Sequence, residues 1–387
     1  MAHILLAWEF GANRGHAVPM LRIAETLRAA GHEISFAVQR LDALSPAEAA
    51  GAPIWQAPVS PRLLGGIGET RAPVGFADVL ARLGMDEARI VAAMVRGWRQ
   101  VLAACRPDLV VADYAPFLLL AARGRLPAIA VGTGFSLPPA GMAELPLLVE
   151  GGQGVDQGLL LEALNAGLAE AGAEPVATLA ATFGADRQLP ATFAELDPYA
   201  EHRPTPPAYP LAPDFAASAG DGSEVFVYAD ARLPADSPLW QGLADSALPV
   251  RVHVPHMPNS LHAALLGRGF LVEPEAVPFA EIAARSRLVV SHGGHGLTCA
   301  CLAAGLPHVV FYYDLEKLLT GLALARLGVG GHVSLPALEP RAFAESLVQV
   351  HRDDAMLARA RAAAPAFLAR DRAPLHRAVA EAVAALI

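Results

Sequence analysis

The segment His3-Ile-Leu-Leu-Ala-Trp8 limits the fold more than any other stretch, because it is apolar at nearly every consecutive position. A strand with one wet face alternates apolar and polar residues. A continuous run marks a strand buried on both faces, as in a parallel sheet covered by helices. A Gly/Asn loop follows, then a helical period from Pro19 to Ala30 that Gly31 ends, then a second strand from Glu33 to Val38. That is the length of a βαβ unit.

The alternation continues. Strands are expected at 108–113 and 128–131, with a helical stretch at 151–173. After a Pro-rich segment running from His202 to Gly222 the pattern restarts, with strands at 225–228, 250–254, 288–291 and 308–311. Helical segments fall at 239–246, 260–268, 279–284 and 297–304, and the chain from Arg341 to Ile387 is almost wholly helical. The expected organisation is a first α/β domain over 1–205, a linker over 206–222, a second over 223–365, and a final helix over 366–387 that packs back on the first domain. Two parallel sheets so joined would leave a cleft at the C-terminal ends of their strands, where open α/β sheets bind ligands.

Composition excludes several classes of function. The 387 residues are 54% apolar, enough for large cores, so disorder is ruled out. A formal net charge of −9 argues against nucleic acid as partner, since phosphate backbones need a basic surface. Three cysteines, with Cys299 and Cys301 in a Cys-x-Cys pair, fit neither a disulfide framework nor a paired-CxxC zinc site, and free thiols suggest the cytoplasm. The first residues lack a cationic start and Glu9 interrupts their apolar run, which reads as a first strand and not a signal peptide. No apolar stretch approaches the roughly 18 to 20 residues that span a bilayer, so no integral membrane contact is expected.

Two loops carry the chemistry. Phe10-Gly-Ala-Asn-Arg-Gly-His-Ala-Val-Pro-Met20 joins the first strand to the first helix, with glycines for a tight turn and Pro19 suited to a first helical turn. It is not a dinucleotide fingerprint, because Gly-x-Gly-x-x-Gly is absent and the second strand ends in Gln39-Arg40 without a ribose-binding acid. Ser291-His-Gly-Gly-His-Gly-Leu-Thr298 joins an apolar strand to a helix. Its glycines expose backbone N–H groups at the positive end of that helix, an arrangement that suits an anion. The Lys-Ser/Thr ending of a Walker A loop is missing. A Gly-rich turn without ligand is the plain alternative.

The two loops in this order resemble the GT-B glycosyltransferases of family-1 type, which use nucleotide sugars. The resemblance runs through Gly15-His-Ala-Val-Pro-Met20, Leu27-Arg-Ala-Ala-Gly-His-Glu33, Pro107-Asp-Leu-Val-Val-Ala-Asp113 and Pro190-Ala-Thr-Phe-Ala-Glu-Leu-Asp-Pro198. It continues in Leu288-Val-Val-Ser-His-Gly-Gly294, Leu302-Ala-Ala-Gly-Leu-Pro307 and Ala325-Arg-Leu-Gly-Val-Gly330. It implies a GT-B fold of two Rossmann-like domains, an acceptor-binding first and a donor-binding second. His16 would be the general base on an acceptor hydroxyl and Asp113 would orient it, in an inverting transfer that requires no metal or other cofactor. His292, Gly293, Gly294, His295, Gly296 and Thr298 would meet the donor phosphates. A histidine capping the loop, and a strand-end carboxylate serving backbone N–H groups, are the structural alternatives for His16 and Asp113.

The departures from the family pattern fall in the donor half. Ala300 stands where the family has a ribose-gripping Glu, Glu316-Lys317 where it has Asp-Gln, and Ala229-Asp230 where it has a small turn near the phosphates. Lys317 is the only lysine of the chain. With Tyr312 and Tyr313, Glu316 and Lys317 would recognise an altered donor sugar; a solvated helix face is the alternative. An Asp beside a diphosphate is unfavourable unless it turns away or a cation intervenes. A donor site that has decayed, leaving a binding or partner subunit, fits the same departures. The acceptor pocket is expected from segments 63–83 and 134–154, with Gly65-Gly-Ile-Gly68, Phe76, Met85, Phe135, Leu137 and Met142 shaping it for a hydrophobic small molecule. Core packing explains those apolar residues nearly as well.

Overall fold

The computed structural model describes residues 1–11, 15–64, 72–212, 215–369 and 371–387. The middle of the first loop (12–14) and the Gly65-Gly-Ile-Gly68 run lie outside the described residues. The chain divides into two compact units, Met1–Pro210 with Arg372–Ile387, and Leu211–Asp371.

The first unit is built on a six-stranded sheet of β1 (His3–Trp8), β2 (Glu33–Val38), β3 (Ile54–Gln56), β4 (Leu109–Asp113), β5 (Ala128–Gly132) and β6 (Arg187–Pro190), in the order β3-β2-β1-β4-β5-β6. Every neighbouring pair is parallel. β1 lies between β2 and β4, and its residues Ile4 to Trp8 are fully buried, so both faces of the strand are covered and apolar. Ile4, Leu6 and Trp8 pack with Met20, Ile23 and Leu27 of the helix Ala17–Ala29. Val379 and Val383 of the helix Leu375–Leu386 complete that layer, so the end of the chain covers the sheet on which it began.

The second unit has its own six-stranded parallel sheet, of β7 (Glu224–Tyr228), β8 (Val250–His253), β9 (Leu271–Glu273), β10 (Ser286–Ser291), β11 (His308–Tyr312) and β12 (Gly330–Ser334). The order β12-β11-β10-β7-β8-β9 again puts the most apolar strands at the centre. Both sheets are therefore of the doubly wound kind, with the chain reversing direction of growth beside β1 and beside β7.

Some elements differ in detail from the sequence expectation. The helix expected over 151–173 spans Gln157–Glu170, because the Asp156 carboxylate accepts the amides of Gly158 and Leu159 and so fixes its start. The helical stretch 341–387 is three helices, Pro340–Arg352, Asp354–Leu368 and Leu375–Leu386. His256 lies beyond the end of β8 with a left-handed φ of 54°. Among the described residues no helix is long and apolar enough to cross a membrane.

Glu9 links the two loops at the C-terminal end of the first sheet. It is buried, and one carboxylate oxygen accepts the amide of Phe117 at 3.1 Å and that of Leu118 at 3.4 Å, at the start of the helix Pro116–Ala122. The amide of Phe10 donates to the Tyr114 carbonyl at 3.1 Å. The loop after β1 is thereby held to the loop after β4. Burial pushes the Glu9 carboxyl well above the ordinary carboxylate range.

Candidate active site

In the first unit, β1 and β4 end side by side with Trp8 paired to Asp113 in register. His16 stands at the N-cap position of the first helix, but its side chain caps no amide of that helix. The imidazole instead turns to β4, where Nδ1 lies 2.9 Å from Asp113 Oδ2. The two side chains are 16% and 6% exposed, so the contact is largely shielded from water. The other Asp113 oxygen is buried with no hydrogen-bond partner among the described residues. A carboxylate on Nδ1 favours the tautomer with the proton there, leaving Nε2 as the basic nitrogen.

Gly11 makes room for that nitrogen. Its φ is +97°, and an added Cβ would stand 2.2 Å from His16 Nε2. No other residue type meets both conditions without moving the ring. Trp8 covers a face of the imidazole, with ring centroids 5.2 Å apart and planes 17° from parallel. Tyr114 stands beside it at 6.2 Å.

Tyr114 adopts a left-handed φ of 45°, a costly conformation for an aromatic residue. Its ring also meets Phe76 at 6.2 Å, and Phe76 continues to Phe135 at 5.0 Å and Phe183 at 5.5 Å. Of the residues expected to shape an acceptor pocket, Phe76 and Met85 have no exposure, and Phe135, Leu137 and Met142 are also buried. Phe76, Phe135 and Phe183 form an apolar bed, with the partly exposed Tyr114 between Phe76 and His16. Sequence reasoning missed Trp8 and Tyr114; the signal available was an aromatic residue at or just past the end of each of two adjoining strands.

In the second unit, β10 ends in Ser291 and the chain turns through His292, Gly293 and Gly294 into the helix His295–Ala304. Gly293 has φ +76° and faces Val310, whose side chain would lie 2.8 Å from an added Cβ. The Gly293 amide donates to Ser291 Oγ at 3.0 Å, and that hydroxyl pairs with His308 Nε2 at 2.8 Å. The turn is thus held from beneath by a buried polar pair. Gly294 is the N-cap and has no side chain to accept the first-turn amides.

His292 packs its ring among Tyr228, Phe311 and Tyr313, at 5.6, 6.3 and 6.4 Å. Its Nδ1 is buried and finds no partner among the described residues. Burial first, and the Lys317 charge second, lower its pKa to about 4, so it is neutral at neutral pH. Thr298 is fully buried and its hydroxyl donates to the Gly294 carbonyl at 3.1 Å. In this arrangement Thr298 holds the loop and does not offer a donor.

Of the residues that depart from the family pattern, Asp230, Glu316 and Lys317 lie within electrostatic reach of His292. Asp230 does not stand as a bare charge: Arg232 binds both of its oxygens, at 2.9 and 3.0 Å, and the Arg232 amide adds a third contact at 2.8 Å. Lys317 Nζ lies 2.6 Å from Glu316 Oε2. Burial would lower the lysine pKa, but the Glu316 and Asp314 carboxylates together raise it, so the ammonium stays charged. Tyr313 is brought to His292, whereas Tyr312 faces away and packs on His332 at 5.6 Å. Ala300 is buried within its helix and offers no polar group. Among the described residues no group of three or more His, Cys, Asp or Glu side chains is placed to hold a metal.

A scan against protein-family models and a search of curated proteins find no match for the chain. Solved structures do match over its whole length. Similar ones include CalG4, the calicheamicin glycosyltransferase, at 22% identity and TM-score 0.68, covering 99% of this chain and 98% of that one. This chain has the glycosyltransferase fold of GT-B type. The spinosyn rhamnosyltransferase SpnG matches at 18% identity and TM-score 0.67, with 99% of each chain covered. SsfS6 from Streptomyces sp. SF2575, solved with thymidine diphosphate, matches at 20% identity and TM-score 0.63, again with 99% of each chain covered.

Proposed function

We propose that the protein is a cytoplasmic, inverting glycosyltransferase that moves a sugar from a nucleotide diphosphate donor to a hydroxyl of a hydrophobic small molecule. The observation that carries this reading is the His16–Asp113 contact at the end of β1 and β4, beside Gly11, where an added Cβ would collide with Nε2. In the reaction His16 Nε2 takes the proton of the acceptor hydroxyl as its oxygen bonds to the anomeric carbon. The bond from that carbon to the diphosphate oxygen breaks, and its electron pair leaves with the nucleotide. Asp113 stabilises the imidazolium that forms.

The charge developing on the diphosphate calls for donors already in place. The amides of Gly294, His295 and Gly296 and the side chain of His292 supply them, on a turn that Gly293 and Thr298 hold. A neutral His292 donates from one ring nitrogen without a standing charge. The Asp230–Arg232 pair answers the objection that a carboxylate near a diphosphate repels it, since Arg232 neutralises the charge in two directions. Glu316, Lys317 and Tyr313 are proposed to meet the donor sugar, and this set in place of Asp-Gln implies an altered donor. The glycosyltransferases of similar fold include one solved with thymidine diphosphate and one solved with spinosyn aglycone, which supports the substrate classes.

Nucleotide binding tests the donor half. Millimolar thymidine or uridine diphosphate is expected to raise the melting temperature by several degrees, with the monophosphate giving less and the nucleoside least. His292→Ala removes most of that rise. A melting temperature indifferent to every nucleotide would remove the donor site from the account.

A further inference from the structure

The loop that carries His16 is already tied through Phe10 and Tyr114, and the imidazole edge is already held by Asp113. The stacking of Trp8 adds something that neither contact supplies. Trp8 is fully buried, and its indole N–H donates to the Phe10 carbonyl, which fixes the orientation of the ring. The nearly parallel planes, 17° apart at 5.2 Å, place the electron-rich face of the indole against the imidazole. Asp113 acts on the ring in its plane, and Trp8 acts from above it.

We propose that Trp8 is a positioning residue that fixes the plane of the His16 imidazole and stabilises its protonated form, so that Trp8 and Asp113 together set the strength of the base. This rests on reading His16 as the base. The two ways in which a buried ring can influence an imidazole have opposite signs. Apolar cover removes water and disfavours the cation. An aromatic face attracts it, most strongly where the ring is indole and the site is shielded. The titratable groups that the described residues place against the ring are Asp113 at its edge and Tyr114 beside it.

The test is an NMR titration of His16 in the full chain, in wild type, Trp8→Phe, Trp8→Leu, and protein carrying fluorinated tryptophan. Fluorination withdraws charge from the ring face and leaves its shape nearly unchanged, so it reports even if Trp8→Leu does not fold. The His16 pKa is expected to fall by about one pH unit in Trp8→Leu, and to fall part-way with fluorotryptophan and in Trp8→Phe, whose ring faces are less electron-rich than indole. The acid limb of the transfer rate should move to lower pH in step, with a lower plateau and an unchanged KM for the donor, because the base is weaker. A pKa that stays put in the fluorinated protein and in Trp8→Leu would overturn the proposal. The titration needs no substrate, so a responsive pKa in a protein that transfers no sugar would fail the transferase reading alone.

Discussion

His16→Ala is expected to lower sugar transfer by about 10²- to 10⁴-fold while leaving nucleotide binding unchanged. The asymmetry follows from where the residue stands. Its imidazole contacts lie in the first unit, with Asp113, Trp8 and Tyr114. The Gly-rich turn and His292 are built within the second. Removing the base therefore deletes proton acceptance without disturbing the anion loop. Asp113→Asn should approach the same loss by another route, since an amide can hold the imidazole in the wrong tautomer. A pre-steady-state assay with radiolabelled donor, run beside nucleotide titration by calorimetry, separates the two effects. Loss of both activities in His16→Ala would mean that the histidine serves the fold.

Acid should destabilise the second unit well before it titrates ordinary carboxylates. Burial holds His292 at about 4 and His308 at about 3, both below the free imidazole value of 6.5. Unfolded chains bind a proton at each below pH 6.5 and the folded chain does not, so stability is complete above that value and falls as pH drops. Each histidine contributes a loss of about 1.4 kcal/mol per pH unit, or about 4 kcal/mol for both at pH 5. His308→Gln keeps a donor near Ser291 and should flatten its share of the slope. Urea unfolding at pH 7.5 and pH 5 measures this. Equal pH dependence in wild type and His308→Gln would show that folding leaves the His308 pKa at its unfolded value. Nucleotide should oppose the acid effect, because an anion beside His292 favours its charged form.

The sequence carried the interior of the fold and not its borders. The eight strands expected from apolar runs include all four inner strands of each sheet, and the four unexpected ones, β3, β6, β9 and β12, are the sheet edges. Ile54–Gln56 and Leu271–Glu273 are only three residues long, and Arg187–Pro190 and Gly330–Ser334 carry little apolar surface. A strand with one neighbour has no need of the continuous hydrophobic run by which a central strand is found.

The site was legible in the same uneven way. His16 and His292 stood out because they adjoin glycine turns at strand ends, whereas Asp113, at the end of an apolar strand with no glycine beside it, was marked by the resemblance alone. Trp8 read as one more apolar strand residue, since only the register of β1 against β4 sets it over the imidazole. Arg232 was invisible for a related reason. Asp230 was recognised as a charge out of place near phosphates, but its partner two residues on is identified only by the turn that folds Arg232 back onto it. Phe76 and Met85 show the reverse case, where apolar residues expected in a pocket wall are buried in packing.

The most direct test of the account is acceptor-dependent release of nucleotide from a panel of thymidine and uridine diphosphate sugars, with hydrophobic phenols and polyketides as acceptors and the product linkage read by NMR. The account predicts release that depends on the acceptor, from at least one donor, with an α-linked donor yielding a β-glycoside. Tight nucleotide binding with no transfer from any donor would favour a partner subunit, and an α-glycoside would contradict the single displacement that His16 is proposed to assist.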